Sequence, residues 1–158
     1  MRRDERGSAA ILVVVLLPLL LTVVTGVVQL GAIRLLAARV ASAADLATLA
    51  ATDDQDAGEL ARTGALRLAP DAEAVARTYF ALNLRQIASH LAIAPEDAAA
   101  QADVAAFRTV PTVDPLTGWR YDHPTVRIVA SVPVRTPAFG IAFSPTTVVT
   151  VRAASAPR

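Results

Sequence analysis

From Gly7 to Ile33 the chain runs GSAAILVVVLLPLLLTVVTGVVQLGAI without one charged residue. A bilayer core about 30 Å thick needs roughly 20 apolar residues in helical form. The run holds 16 Leu, Ile or Val residues, and at about −0.3 to −0.6 kcal/mol each they favour insertion by several kcal/mol. The pattern predicts a transmembrane helix. Beyond Ile33 the periodicity continues without Gly or Pro through RLLAARVASAADLATLAA. Leu35, Leu36, Arg39, Val40, Ala43, Ala44, Leu46, Ala47 and Ala50 repeat at helical spacing, interrupted by Arg34, Ser42, Asp45 and Thr48. One helix from about Ser8 to Ala51 follows, on the order of 65 Å long. The membrane holds about half of it, and the rest is a stalk.

The remaining chain alternates shorter patterns. Asp56 to Leu68 reads as a second helix, with Asp56 and Glu59 as a capping box and Gly64 weakening its middle. Ala72 to Leu91 reads as a third, with Val75, Tyr79, Phe80, Leu82, Ile87 and Leu91 buried and Arg77, Arg85 and Gln86 in water. Pro95 followed by Glu96 and Asp97 opens a fourth, continuing to about Phe107. Asp114 to Gly118 is a tight turn. Val126, Ile128, Ala130, Val132 and Val134 then alternate against Arg127, Ser131 and Arg135, the pattern of a half-buried strand. Pro133 restricts that part of the strand to an edge or terminus. TPAFGIAF is an apolar connection, and Thr146 to Ala154 a second strand. The fold class is α+β: a long N-terminal transmembrane helix, shorter helices, then a small antiparallel β-sheet, pilin-like in order. The division is a charged cytoplasmic leader at 1–6, helix and stalk at 7–51, and an extracytoplasmic domain at 52–158.

The leader carries Arg2, Arg3 and Arg6, against Arg34 and Arg39 beyond the span. The difference favours a cytoplasmic N-terminus and a single pass through the membrane. A secretory signal peptide cut near Ala44 is the competing reading, although its apolar region would span only about 7–15 residues. Within the span, Pro18 removes a backbone donor and should kink or loosen the helix. Gly26, Gln29 and Gly31 are the other candidate helix-packing positions. Gly26 and Gly31 are five apart, not the four of a small-residue dimer face, and Gln29 either hydrogen-bonds to a neighbouring helix or sits near the interface.

Composition narrows the functions. Net charge is +1, all 15 basic residues are Arg, and Cys is absent. No field steers nucleic acid, and disulfides and thiolate metal sites are excluded. Few aromatics and many alanines give a domain of modest core that relies on partners. His90 and His123 have no ligand or triad spacing. Asp53, Asp54 and Asp56 lack the Gly and closing Glu of a calcium loop and read as a solvated linker. Asp114 and Asp122 flank a turn holding Trp119 and Tyr121, either a hairpin whose aromatics pack on the sheet or a partner-binding tip. No catalytic set, metal site or cofactor-binding glycine loop is visible, and no small-molecule substrate is evident. The chain is read as a non-enzyme.

The start RRDERGSAAILVVVLLPLLL, the segment ASAADLATLAA at 41–51, TYFALN at 78–83, and the ending VRIVASVPVRTPAFGIAFSPTTVVTVRAAS resemble TadE/TadG-like proteins of the tight-adherence (Flp) pilus machinery. The resemblance implies a membrane-anchored pseudopilin-like or assembly component, with the lipid bilayer and other pilus-assembly or pilin-like subunits as partners. It implies that a processed member would be cut between Gly7 and Ser8. Processed members carry Glu at the fifth mature position, which here is Leu12, so the resemblance favours a TadG-like or divergent minor component. The alternative from another class is a membrane-tethered or secreted binding module of unknown ligand.

Overall fold

The computed structural model describes residues 4–53, 57–64, 67–136 and 146–157. Its long helix, α1 (Asp4–Asp53), has 50 residues, about 75 Å at 1.5 Å per residue. It begins four residues before the expected start, and Gly7 and Ser8 lie within it. It runs on through Pro18. The Thr22 hydroxyl donates to the Pro18 carbonyl at 2.8 Å, a back-bond within the helix in the turn that follows the proline.

Above the apolar run one face of α1 is buried: Leu36, Val40, Ala43, Ala44, Ala47, Thr48, Ala51 and Thr52. Leu35, Arg39 and Leu46, expected on the same stripe, face outward instead. The stripe takes the small residues because α3 (Ala72–Arg85) and the sheet approach closely there. The Asn83 side-chain amide donates to the Ala43 carbonyl at 3.3 Å and ties the two helices. Thr48, expected to interrupt the stripe, is buried because its hydroxyl has two partners, the Asp45 carbonyl and the Ser155 hydroxyl, each at 2.9 Å.

α2 (Ala57–Thr63) is shorter than the sequence suggests. Gly64, at φ 70°, ends it by donating to the Leu60 carbonyl rather than weakening its middle. Asp56, the expected cap, lies outside the described residues. α3 buries Ala72, Ala76, Phe80 and Leu84, an i, i+4 row. Tyr79 and Leu82 are exposed and Val75 only half-buried, contrary to expectation. The helix turns Ala72 and Ala76 inward, and Phe80 and Leu84 supply the large side chains of the row. Arg77, expected in water, is half-buried with its Nε covered. The helix also stops at Arg85. A turn and a 3-10 segment (Ala88–His90) then bring Ile87 and Leu91 into the core.

Pro95 opens α4 (Pro95–Gln101) as the first-turn proline suggests, but the expected continuation to Phe107 is a strand. β1 (Asp103–Phe107) pairs antiparallel with β4 (Thr125–Arg135), with Val104 opposite Ile128. Tertiary pairing overrides the alanine-rich local preference here. The Glu73 carboxylate accepts from the Ala106 N–H at 3.1 Å and covers part of the free edge of β1. β2 (Thr112–Val113) and β3 (Arg120–Tyr121) form a separate hairpin. β5 (Thr146–Ser155) pairs antiparallel with β4, giving the order β1-β4-β5. The connection between β4 and β5, including TPAFGIAF beyond Thr136, lies outside the described residues.

The alternation of β4 holds on its inward face. Val126, Ile128, Ala130, Val132 and Val134 are all buried and meet Val149, Val151 and Ala153 of β5. Pro133 sits in the central strand, but beyond Val129, where the pairing with β1 ends at Asp103. Its carbonyl accepts from the Ala92 N–H at 2.9 Å, so its backbone polar groups face the side where β1 has run out. No ladder bond to β5 is lost, and the edge rule is obeyed locally. The exception to the alternation is Arg127, expected in water and found buried.

Candidate functional site

Two surfaces stand out, one along α1 and one at the end of the domain. Along α1, every large apolar side chain from Leu12 to Val24 is exposed. The most apolar 18-residue window has mean hydropathy 2.5, and only 6% of it is buried. A core helix of a soluble domain would be covered. This helix is long and apolar enough to cross a membrane, and a bare surface of this kind marks a membrane or protein contact. An added Cβ at Gly26 or Gly31 would meet no described atom within 4 Å, so both glycines leave open helix surface. Gln29 is different: it is only 6% exposed, and its side-chain carbonyl has no hydrogen-bond partner. Side chains before Leu12 lie outside the described residues, as does the environment of the Gly7–Ser8 bond.

The second surface is the β2–β3 hairpin. Asp114 builds its turn. Its backbone N–H donates to the Trp119 carbonyl at 2.8 Å, and its carbonyl accepts from Gly118, which stands at φ 72°. Its carboxylate accepts from the Leu116 N–H at 3.0 Å and from the Thr117 hydroxyl at 2.5 Å. This carboxylate is fully buried, and Arg127 Nε lies 3.0 Å from it. The contact is a charge pair rather than an aligned hydrogen bond, since that N–H points off the carboxylate. Arg127 also donates to Asp103 at 2.7 Å and stands 6.0 Å from the centre of the Phe107 ring. Burial alone pushes the Asp114 carboxyl up. The Thr117 hydroxyl, the Leu116 N–H and the Arg127 charge outweigh it and hold the group below its ordinary value.

The two aromatics of the loop divide. Tyr121 packs inward, its ring centre 5.0 Å from that of Phe107. Its hydroxyl is covered and unpaired, and burial, with the Asp114 charge behind it, pushes its titration upward. Trp119 turns outward at 53% exposure, with Val113 and Leu116 also exposed. The hairpin therefore packs on the sheet through one aromatic and presents the other. Asp122 is on the surface, paired with Arg120 at 3.0 Å.

The two histidines are not brought together. His123 precedes β4, and His90 lies near Arg135 at its far end. Among the described residues no group of three His, Asp or Glu side chains could hold a metal ion. Of the acidic linker, Asp53 is the last residue of α1, while Asp54 and Asp56 lie outside the described residues. Sequence reasoning missed the Asp103–Arg127–Asp114 cluster. Its signal was available: an arginine between Val126 and Ile128 in an apolar strand needs a buried partner.

No curated protein matches the chain, and no solved structure does. Residues 7–65 match the family described as putative Flp pilus-assembly TadE/G-like.

Proposed function

We propose that this chain is a membrane-anchored component of TadE/G-type pilus assembly, working through helix packing in the bilayer and protein contacts outside it. The observation that carries the reading is the coincidence of the family match at 7–65 with a bare apolar helix. The anchor spans the membrane once, with residues 1–6 in the cytoplasm and the domain from about residue 52 outside. Arg2, Arg3 and Arg6 on one side, against Arg34 and Arg39 on the other, support that orientation.

Geometry assigns the ends of the domain. Leu36 and Arg39 of α1 share a cleft with Arg135, while Thr48 bonds to Ser155, next to the start of β4. β4 thus leads away from the span over a strand length of about 30 Å at 3.3 Å per residue, and the hairpin sits at the far end. The exposure of Trp119, Leu116 and Val113 supports reading them as the contact with another assembly subunit. Pro18, Gly26, Gln29 and Gly31 are the candidate contacts within the bilayer. The absence of Glu at position 12 favours a TadG-like or minor role over a filament-forming subunit. No catalytic chemistry is assigned to the chain.

The test is N-terminal sequencing of protein purified from membranes, with photo-crosslinking from position 119. An intact N-terminus and a crosslink to a co-encoded pilus subunit are expected. An N-terminus at Ser8 would assign pseudopilin-like processing. An N-terminus near Ala44 in a secreted protein would refute the anchor and leave a secreted binding module.

A further inference from the structure

Where the apolar run ends, α1 and the end of β4 enclose a cleft of about 270 Å³. Leu35 and Leu36 line its apolar side, and Arg39, His90, Arg135 and Thr136 its polar side. Among the described residues no carboxylate pairs with Arg39 or Arg135, nor with Arg34 on the turn below. The other clustered arginine of the domain, Arg127, is held between two aspartates. This end of the molecule is therefore an uncompensated cationic rim.

Its height matters. If the hydrocarbon boundary lies near Ile33, Arg39 stands about 9 Å above it at 1.5 Å per residue. The headgroup layer is roughly 5–8 Å deep on each side of the hydrocarbon core. The cleft floor at Leu36, about 4–5 Å above the boundary, is thus level with the headgroup layer, the Arg39 side chain is long enough to reach down into it, and the exposed Leu35 lies on the membrane side of both. An apolar wall below and arginines above match one class of ligand, an amphiphile with an anionic head.

We propose that this cleft seats the headgroup of an anionic phospholipid from the leaflet beneath the domain, its phosphate against Arg39, His90 and Arg135. The proposal rests on the membrane-spanning reading but on neither orientation nor pilus partners. The bound lipid braces the domain against the bilayer, fixing the height and tilt at which the distal hairpin is presented. Each arginine near a charged surface contributes about fivefold in affinity.

The full chain is reconstituted in phosphatidylcholine vesicles with a trace of spin-labelled phosphatidylglycerol or spin-labelled phosphatidylcholine, and the motionally restricted fraction is measured. The wild type is expected to retain phosphatidylglycerol about tenfold over phosphatidylcholine, a preference that salt weakens. Arg39→Gln with Arg135→Gln removes most of that preference, while Arg152→Gln on the outer face of β5 leaves it intact. Circular dichroism confirms that the variants fold. Equal retention of the two lipids by the wild type, or a preference unmoved by the double variant, overturns the proposal. Protein released from neutral vesicles by carbonate washing overturns the anchor as well, and so separates the two failures.

Discussion

Asp114→Asn tests the interior of the hairpin. The substitution keeps the side chain's volume and an oxygen for the Leu116 N–H, but removes the charge facing Arg127. That guanidinium is buried, so it loses one of two compensating carboxylates. Breaking a buried pair from one side costs about 3–5 kcal/mol. Asp103 still holds Arg127 at 2.7 Å, which places the cost near the lower end, about 3 kcal/mol. Against a total stability of about 5–15 kcal/mol, that lowers the melting temperature by about 10 °C. Thermal unfolding of the full chain in detergent, followed by circular dichroism, reads the shift. A double-mutant cycle with Arg127→Met isolates the pair: the double variant should be at least 1 kcal/mol less destabilised than the sum of the singles. The pH dependence has a definite sign. The Asp114 carboxyl titrates below its ordinary 3.8 in the folded chain. Its contribution is therefore fully present above the unfolded value and lost as pH falls through the lower, folded one. The gap between wild type and Asp114→Asn should be constant from pH 5 to 8 and close only below about pH 4. A shift under about 0.5 kcal/mol at neutral pH, or additive singles in the cycle, would refute the role given to this pair.

Phe80→Ala should cost about 3–5 kcal/mol, because Phe80 is fully buried and is the largest side chain on the inward row of α3; urea unfolding of the detergent-solubilised chain measures it. Gly118→Ala should cost about 1 kcal/mol or more, since the turn holds this residue at φ 72°, with stability again the readout. Gly31→Ala should leave or slightly raise the stability of the isolated chain, as a Cβ there meets no described atom and alanine favours helix by about 1 kcal/mol. The same variant should weaken assembly if Gly31 packs on another subunit's helix, which crosslinking in membranes reports. Trp119→Ala should change stability by less than about 0.5 kcal/mol yet reduce the crosslink to that subunit.

The parts of the fold legible in the sequence are those where local pattern and burial agree. The uncharged run and its continuation gave α1 because nothing breaks the helix before Asp53. The alternation of β4 gave that strand with its inward residues, and the run from Thr146 to Ala154 gave β5. The errors have a common cause in alanine. Ala72, Ala76, Ala98 and Ala99 are buried, while the larger Tyr79, Leu82 and Leu46 are not, because close helix approach selects small side chains over apolar area. A pattern that weighs hydrophobicity alone then assigns the wrong face. In QADVAAF the alanines favoured continued helix, and only pairing with β4, where Asp103 meets Val129, 26 residues on, makes it a strand.

The site was legible to the same extent and for the same reason. The hairpin turn is local chemistry: Asp at its start, Pro next, Gly at the positive-φ position. That Trp119 faces out while Tyr121 faces in depends on Phe107, which arrives from another strand. The juxtamembrane cleft joins residues 39, 90 and 135, and no spacing rule connects positions that only tertiary packing unites. Yet α1 makes these distant features one device. Its lower half is free of the domain, and its upper half is part of the domain core through Val40, Ala44 and Ala47. A helix shared in this way has no linker at the membrane surface. Tilting α1 must therefore tilt the sheet with it, and on the proposed reading any bilayer contact that sets the helix's angle also sets the position of the hairpin tip, about 30 Å further along β4.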